Sequence, residues 1–188
     1  MKKFTIVIVL LALAPMLTAH DNKFFASLGA AALIPGDARF KDLYGGVQVS
    51  PELRVGYNLY RSFYFWLGGS FVAAAGTIPV LDDTIKATQM FLSLGAGWET
   101  RRSRRLQADL GAALLMAGSR EKAMGATASK WAPGFDVRAG LRYFLKKRVF
   151  LGVTVGYAGA WTTVRTEAGE KDLILGGMRL GGLLGWRF

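Results

Sequence analysis

The sequence predicts an all-β protein whose eight antiparallel strands close into an up-and-down transmembrane β-barrel. Three observations predict it. The first is strict alternation. In "VQVSPELRVGYNLY", Val47, Val49, Pro51, Leu53, Val55, Tyr57 and Leu59 form one set, and Gln48, Ser50, Glu52, Arg54, Gly56 and Asn58 form the other. A period of two marks a strand with two unlike faces. The second is the make-up of the non-apolar faces. They hold mostly Gly, Ala, Ser and Thr with an occasional charge, which suits a confined concave space better than a solvated surface. The third is the apolar faces, which are long and continuous. Their aromatics gather toward the ends, as at the two interfaces of a bilayer.

Taken in order, the chain begins with a basic start, Met1-Lys2-Lys3, and an apolar run from Phe4 to Ala14. A break and a small residue at Ala19 follow. This is the pattern of a signal peptide, so residues 1–19 are expected to be removed and 20–188 to form the barrel domain. The run is shorter than a spanning helix needs. Loss of Lys2 and Lys3 takes the formal charge from +11 to +9.

Strand-like segments follow near 23–34, 46–60, 63–76, 84–100, 104–118, 130–145, 148–164 and 172–188. In the fifth, Leu106, Ala108, Leu110, Ala112, Leu114 and Met116 oppose Gln107, Asp109, Gly111 and Ala113. In the sixth, Trp131, Pro133, Phe135, Val137, Ala139, Leu141 and Tyr143 oppose Ala132, Gly134, Asp136, Arg138, Gly140 and Arg142. The seventh and eighth alternate in the same way, and the eighth ends at Leu184, Trp186 and Phe188. The first and third are less regular. Short links (Tyr60–Ser62, Arg101–Arg104, Lys146–Arg148) alternate with longer polar ones (Pro35–Gly45, Thr77–Asp83, Ser119–Ser129, Arg165–Lys171). Tyr57, Trp98, Tyr143 and Trp186 fall near the short-link ends, and Trp131 and Trp161 near the long-link ends. Backbone polar groups cannot stay unpaired in lipid, so a spanning sheet must close on itself. An even strand count puts both termini on the short-turn side.

On these features the chain resembles the small eight-stranded outer-membrane barrels of Gram-negative bacteria, OmpA-, OmpX- and OmpW-like in architecture. The carriers are the signal peptide, the alternation, the loop asymmetry and the C-terminus "RLGGLLGWRF". The resemblance implies an outer-membrane protein, monomeric and bathed in outer-membrane lipid. It also implies that the barrel-assembly machinery reads the last strand through Leu184, Trp186 and Phe188. Polar-x-Gly spacing from Arg179 to Gly181 fits that signal only if it ends at Trp186.

Little in the chain points to catalysis. There is no Cys and a single His, His20, beside the expected cleavage site. Known barrel enzymes resemble one another in pairing His with Ser or Asp near the outer rim, and that pairing is not available here. No cofactor and no metal site are expected, and Asp82-Asp83 reads as a solvated loop. The basic runs "RRSRR" and "KKR" lack an aromatic stacking platform. They fit anionic lipid head groups better than nucleic acid.

The main constellation is six charges counted to mid-barrel: Glu52, Arg54, Asp109, Asp136, Arg138 and Arg179. Each arginine is expected to pair with a carboxylate of this set, because uncompensated buried charge costs several kcal/mol. Paired across the lumen they would plug it; the alternative is a polar gate that can open into a narrow water path. Three functions remain open. One is a non-enzymatic envelope protein acting through structure or through its outer loops, with the partner unspecified. The second is a narrow passage for small solutes or apolar molecules. The third is a soluble lipocalin-like barrel with the faces reversed.

Overall fold

The computed structural model describes residues 23–60, 62–78, 83–101, 105–123, 126–166 and 169–188. The expected signal peptide, His20 and Asp82 lie outside the described residues. The elements are β1 (Phe24–Pro35), α1 (Ala38–Tyr44), β2 (Gln48–Tyr60), β3 (Phe63–Ile78), β4 (Asp83–Arg101), β5 (Leu106–Ala123), β6 (Ala126–Phe144), β7 (Val149–Thr166) and β8 (Gly169–Arg187). Neighbours in sequence are neighbours in space. The sheet closes where β1 pairs antiparallel with β8, from Phe25–Arg187 to Pro35–Gly177.

The faces are those of a barrel solvated by lipid. Leu28, Leu53, Leu94, Leu114 and Leu180 are all more than half exposed on the outside, Leu114 to 77%. Such a belt is far larger than the apolar patches that soluble monomers carry, and this overturns the lipocalin alternative. Tyr57 is half-buried, while Trp98, Trp131, Tyr143, Trp161 and Trp186 are exposed. They stand on the same outer face as the leucines.

Two expectations about the connections need correction. First, the links after β3, β5 and β7 are not long loops. The strands run on as hairpins, with β5 pairing β6 up to Ala123–Ala126 and β7 pairing β8 up to Thr166–Gly169. Polar composition there marks strand that has risen above the apolar belt, where both faces meet water. Second, the link expected as a loop at Pro35–Gly45 holds a helix. Asp37 caps it, its Oδ1 accepting from the N–H groups of Arg39 (2.9 Å) and Phe40 (3.1 Å). Gly45, at φ 93°, ends it. Phe40 and Tyr44 pack on Ile85, Ala87 and Ala74, which seats α1 on the inner face of β3 and β4 at the long-link end. The signals were local: an Asp cap, apolar residues at Phe40, Leu43 and Tyr44, and a terminal Gly.

The wall is not continuous to its top. The β2–β3 ladder ends at Glu52–Ser70, although β3 continues with β4 to Ile78–Asp83. The β6–β7 ladder ends at Gly134–Ala160, although β6 continues with β5 and β7 with β8. Directly above these last pairs stand Pro51 and Pro133, which bring no N–H to a ladder. The two seams are four strands apart, on opposite walls of the barrel.

Candidate functional site

The lumen is built in layers, because every second residue of each strand points inward. Nearest the short turns, Glu99 of β4, Gln107 and Asp109 of β5, Arg142 of β6 and Arg187 of β8 are all buried. Glu99 Oε2 accepts from Arg187 Nη2 at 3.0 Å and Arg142 Nη1 at 3.4 Å. Arg142 Nε lies 3.2 Å from Asp109 Oδ2, and the Tyr64 hydroxyl donates to Asp109 Oδ1 at 3.0 Å. Arg187 also donates to Gln107 Oε1 at 3.2 Å. Two carboxylates thus face two guanidiniums. Aromatic rings surround them: Arg142 lies over Phe25, Tyr64 and Phe150, and Arg187 over Phe144.

Above them is a middle layer of Glu52, Arg54, Asp136, Arg138 and Arg179. Asp136 accepts from Arg138. Glu52 is shared, with Arg54 and Arg179 each at 3.5 Å from one of its oxygens. The guanidinium of Arg138 lies over Trp66 at 5.2 Å, and that of Arg179 over Phe91 at 4.5 Å.

A third layer is apolar. Leu33, Val72, Phe91, Leu115 and Leu175 meet across the lumen with Ala117, Ala132, Ala158 and Ala160. Over it sits α1. Here two acidic groups lie close together. Burial, and then the charge of Asp37, holds the Glu121 carboxyl above the usual carboxylate range. Burial and Glu121 push the Tyr44 hydroxyl up to about 12. Glu121 pairs with Ala128 on β6, above the level of Trp131, and so stands clear of the apolar belt.

Five of the six counted charges come together as the middle layer. The sixth does not: Asp109 serves Arg142, not Arg54, Arg138 or Arg179, because it lies one layer lower. Its directly opposite residue on β6 is Gly140, two residues from Arg142 and four from Asp136. Glu99, Gln107, Arg142 and Arg187 were missed as members of an ionic layer. Arg142 and Arg187 share the inward phase of Arg138 and Arg179, which is the signal that could have found them.

Inward aromatics were also missed. Small residues on the inner faces do leave room, but rings occupy it. A Cβ added to Gly95 or Gly111 would lie 2.5 Å from the Trp66 indole, and one added to Gly97 would lie 2.5 Å from Tyr64.

At the end of the chain, Leu184 and Trp186 face outward and are exposed, while Phe188 is half-buried. The Phe188 N–H donates to the Phe24 carbonyl at 2.8 Å, across the β1–β8 closure. Among the described residues, no group of three His, Cys, Asp or Glu could hold a metal ion.

A closed eight-stranded barrel with an apolar exterior and an ion-paired interior has the fold of the small outer-membrane barrels. Three solved structures show the likeness. Neisserial surface protein A is 15% identical, with a TM-score of 0.66 over 88% of this chain and 97% of that one. The outer membrane protein OprG of Pseudomonas aeruginosa is 12% identical, with a TM-score of 0.67 over 90% and 98%. Ail, the attachment invasion locus protein of Yersinia pestis, in complex with the heparin analogue sucrose octasulfate, is 12% identical, with a TM-score of 0.55 over 88% and 97%. At these identities the likeness is one of fold. No protein-family model and no curated protein matches the chain.

Proposed function

We propose that the chain is a non-enzymatic, monomeric integral protein of the bacterial outer membrane, exported by residues 1–19, that acts through its outer end and not by conducting solutes. One observation carries this reading: two ionic layers and one apolar layer cross the lumen in succession. Eight strands already give a small circumference, whereas aqueous channels need about 16–18. The charges are thus only part of the block, and removing Arg138 and Arg179 leaves the apolar layer in place. In planar bilayers, wild type and the double variant R138A/R179A are both expected to stay closed. Adding F91A and L115A is expected to open a path. A large, stable wild-type conductance would overturn the reading.

Assembly is proposed to run through Leu184, Trp186 and Phe188, read by the barrel-assembly machinery. A chain lacking Phe188 should be exported but insert poorly; normal yield in the outer membrane would refute this. For the outer end, the charge pattern supports an anionic contact. Lys86 stands directly opposite Lys122, with Arg120 two residues away, all exposed above the belt. Like charges opposite each other are destabilising unless something answers them, and the phosphate groups of outer-membrane lipid would supply that anion. Phosphorylated glycolipid that co-purifies with wild type should fall away in K86Q/R120Q/K122Q, and equal retention would discount the contact.

The two seams favour a second reading, passage of small apolar molecules between the lumen and the surrounding lipid. Entry of a small apolar probe into proteoliposomes without ionic conductance would decide for it.

A further inference from the structure

The middle layer does not balance. Three arginines, Arg54, Arg138 and Arg179, face two carboxylates, Glu52 and Asp136. All three arginines are more than nine-tenths buried. The next carboxylates down, Glu99 and Asp109, already answer Arg142 and Arg187. The donors are not used up either. Nε and Nη2 of Arg179, Nε of Arg138 and the Ser70 hydroxyl are buried without a hydrogen-bond partner.

These groups border two small cavities of about 10 Å³ each. One is lined by Glu52, Arg54, Ser70, Ser93, Arg138 and Arg179. The other is lined by Glu52, Arg54, Asp136, Thr154, Arg138 and Arg179. Each has room for one particle the size of a water molecule. An excess of one positive charge among arginines this deeply buried calls for a counter-charge. Neutral water would satisfy the donors but not the charge.

We propose that the middle layer is a binding site for one small monovalent anion of the halide class, held between Arg138 and Arg179 as an integral part of the barrel's interior. A bulky organic anion such as gluconate is too large for either cavity. Glu52 and Asp136 border the site and repel the ion. They keep the net excess at one charge, so a single anion suffices.

The test uses the purified barrel in detergent at constant ionic strength. Replacing gluconate, which does not fit, by chloride should raise the melting temperature by roughly 3–6 °C for each tenfold rise in chloride above half-saturation. R179Q, which removes the excess charge, should abolish the dependence. E52Q, which enlarges the excess, should keep it. If R179Q does not fold, wild-type crystals soaked in bromide decide alone. An anomalous peak beside Arg138 and Arg179 supports the site. Bromide peaks confined to the surface, or equal melting temperatures in gluconate and chloride, would overturn the proposal.

Discussion

The two ionic layers differ in how well they are finished. The lower one matches two carboxylates to two guanidiniums, with contacts of 3.0–3.4 Å, an extra donor in the Tyr64 hydroxyl and an extra acceptor in Gln107 Oε1. The middle one shares a single carboxylate between two arginines, each at 3.5 Å. Burial follows the pairing: Glu99 and Asp136 are 2% and 3% exposed, whereas the side chain of the shared Glu52 is 16% exposed. What differs is the number of donors and acceptors brought in by neighbouring strands. The lower layer reads as a structural fastening, and the middle one as the place where the interior is open to something else.

Removing one carboxylate from each layer separates the two most sharply. Glu99→Ala removes the carboxylate that buried Arg187 meets and leaves Arg142 with that of Asp109, and should cost about 3–5 kcal/mol in urea unfolding. Glu52→Ala loosens contacts that are already long beside cavities that can take water, and should cost on the order of 1–3 kcal/mol. Equal losses would erase the distinction. A smaller effect comes from the aromatic floor between the layers. Gly111→Ala drives a Cβ against Trp66, a strained fit worth about 1–3 kcal/mol. In a chain labelled with fluorotryptophan, the Trp66 resonance alone should move among the five. Movement of the outward Trp98 or Trp131 would show that the strain is not taken up in the lumen.

The smallest expected effect lies above both layers, where the charge of Glu121 on β5 acts on Asp37 and Tyr44 at the two ends of α1. Glu121 titrates higher in the folded chain than free, so the folded state is the poorer host for its charge. The packing of α1 is therefore best at acid pH. It weakens as pH rises from the ordinary carboxylate value through Glu121's raised one. Hydrogen exchange in residues 38–44 should quicken across that window, and Glu121→Gln should flatten the profile. Exchange that slows with pH, after correction for its intrinsic rate, would reverse the assignment.

Much of this was written in the sequence. Alternation in β2, β5 and β6 fixed the faces, and distance from the short turns gave the height of Glu52, Arg54 and Asp136. Partnership was less legible. Asp109 and Arg142 meet because of stagger between β5 and β6, and stagger has no signature in one strand read alone. The third strand, "FYFWLGGSFVAAA", is apolar on both faces. Period-2 polarity therefore could not show that Tyr64 and Trp66 point inward while Phe63 and Phe65 point out. Composition misled at the hairpins, where strand above the lipid looks like loop.

The proline-topped seams bear on how such a surface can change over generations. Above Glu52–Ser70 and Gly134–Ala160 the wall becomes two blades, one carrying the β3–β4 and β5–β6 tips and the other the β7–β8 tip. A side-chain bond from Lys130 to the Thr163 carbonyl spans one seam. With no ladder joining the blades, an insertion in one tip does not force the other to shift register. Each exposed tip can change in length on its own, while the part below stays locked in register on every side.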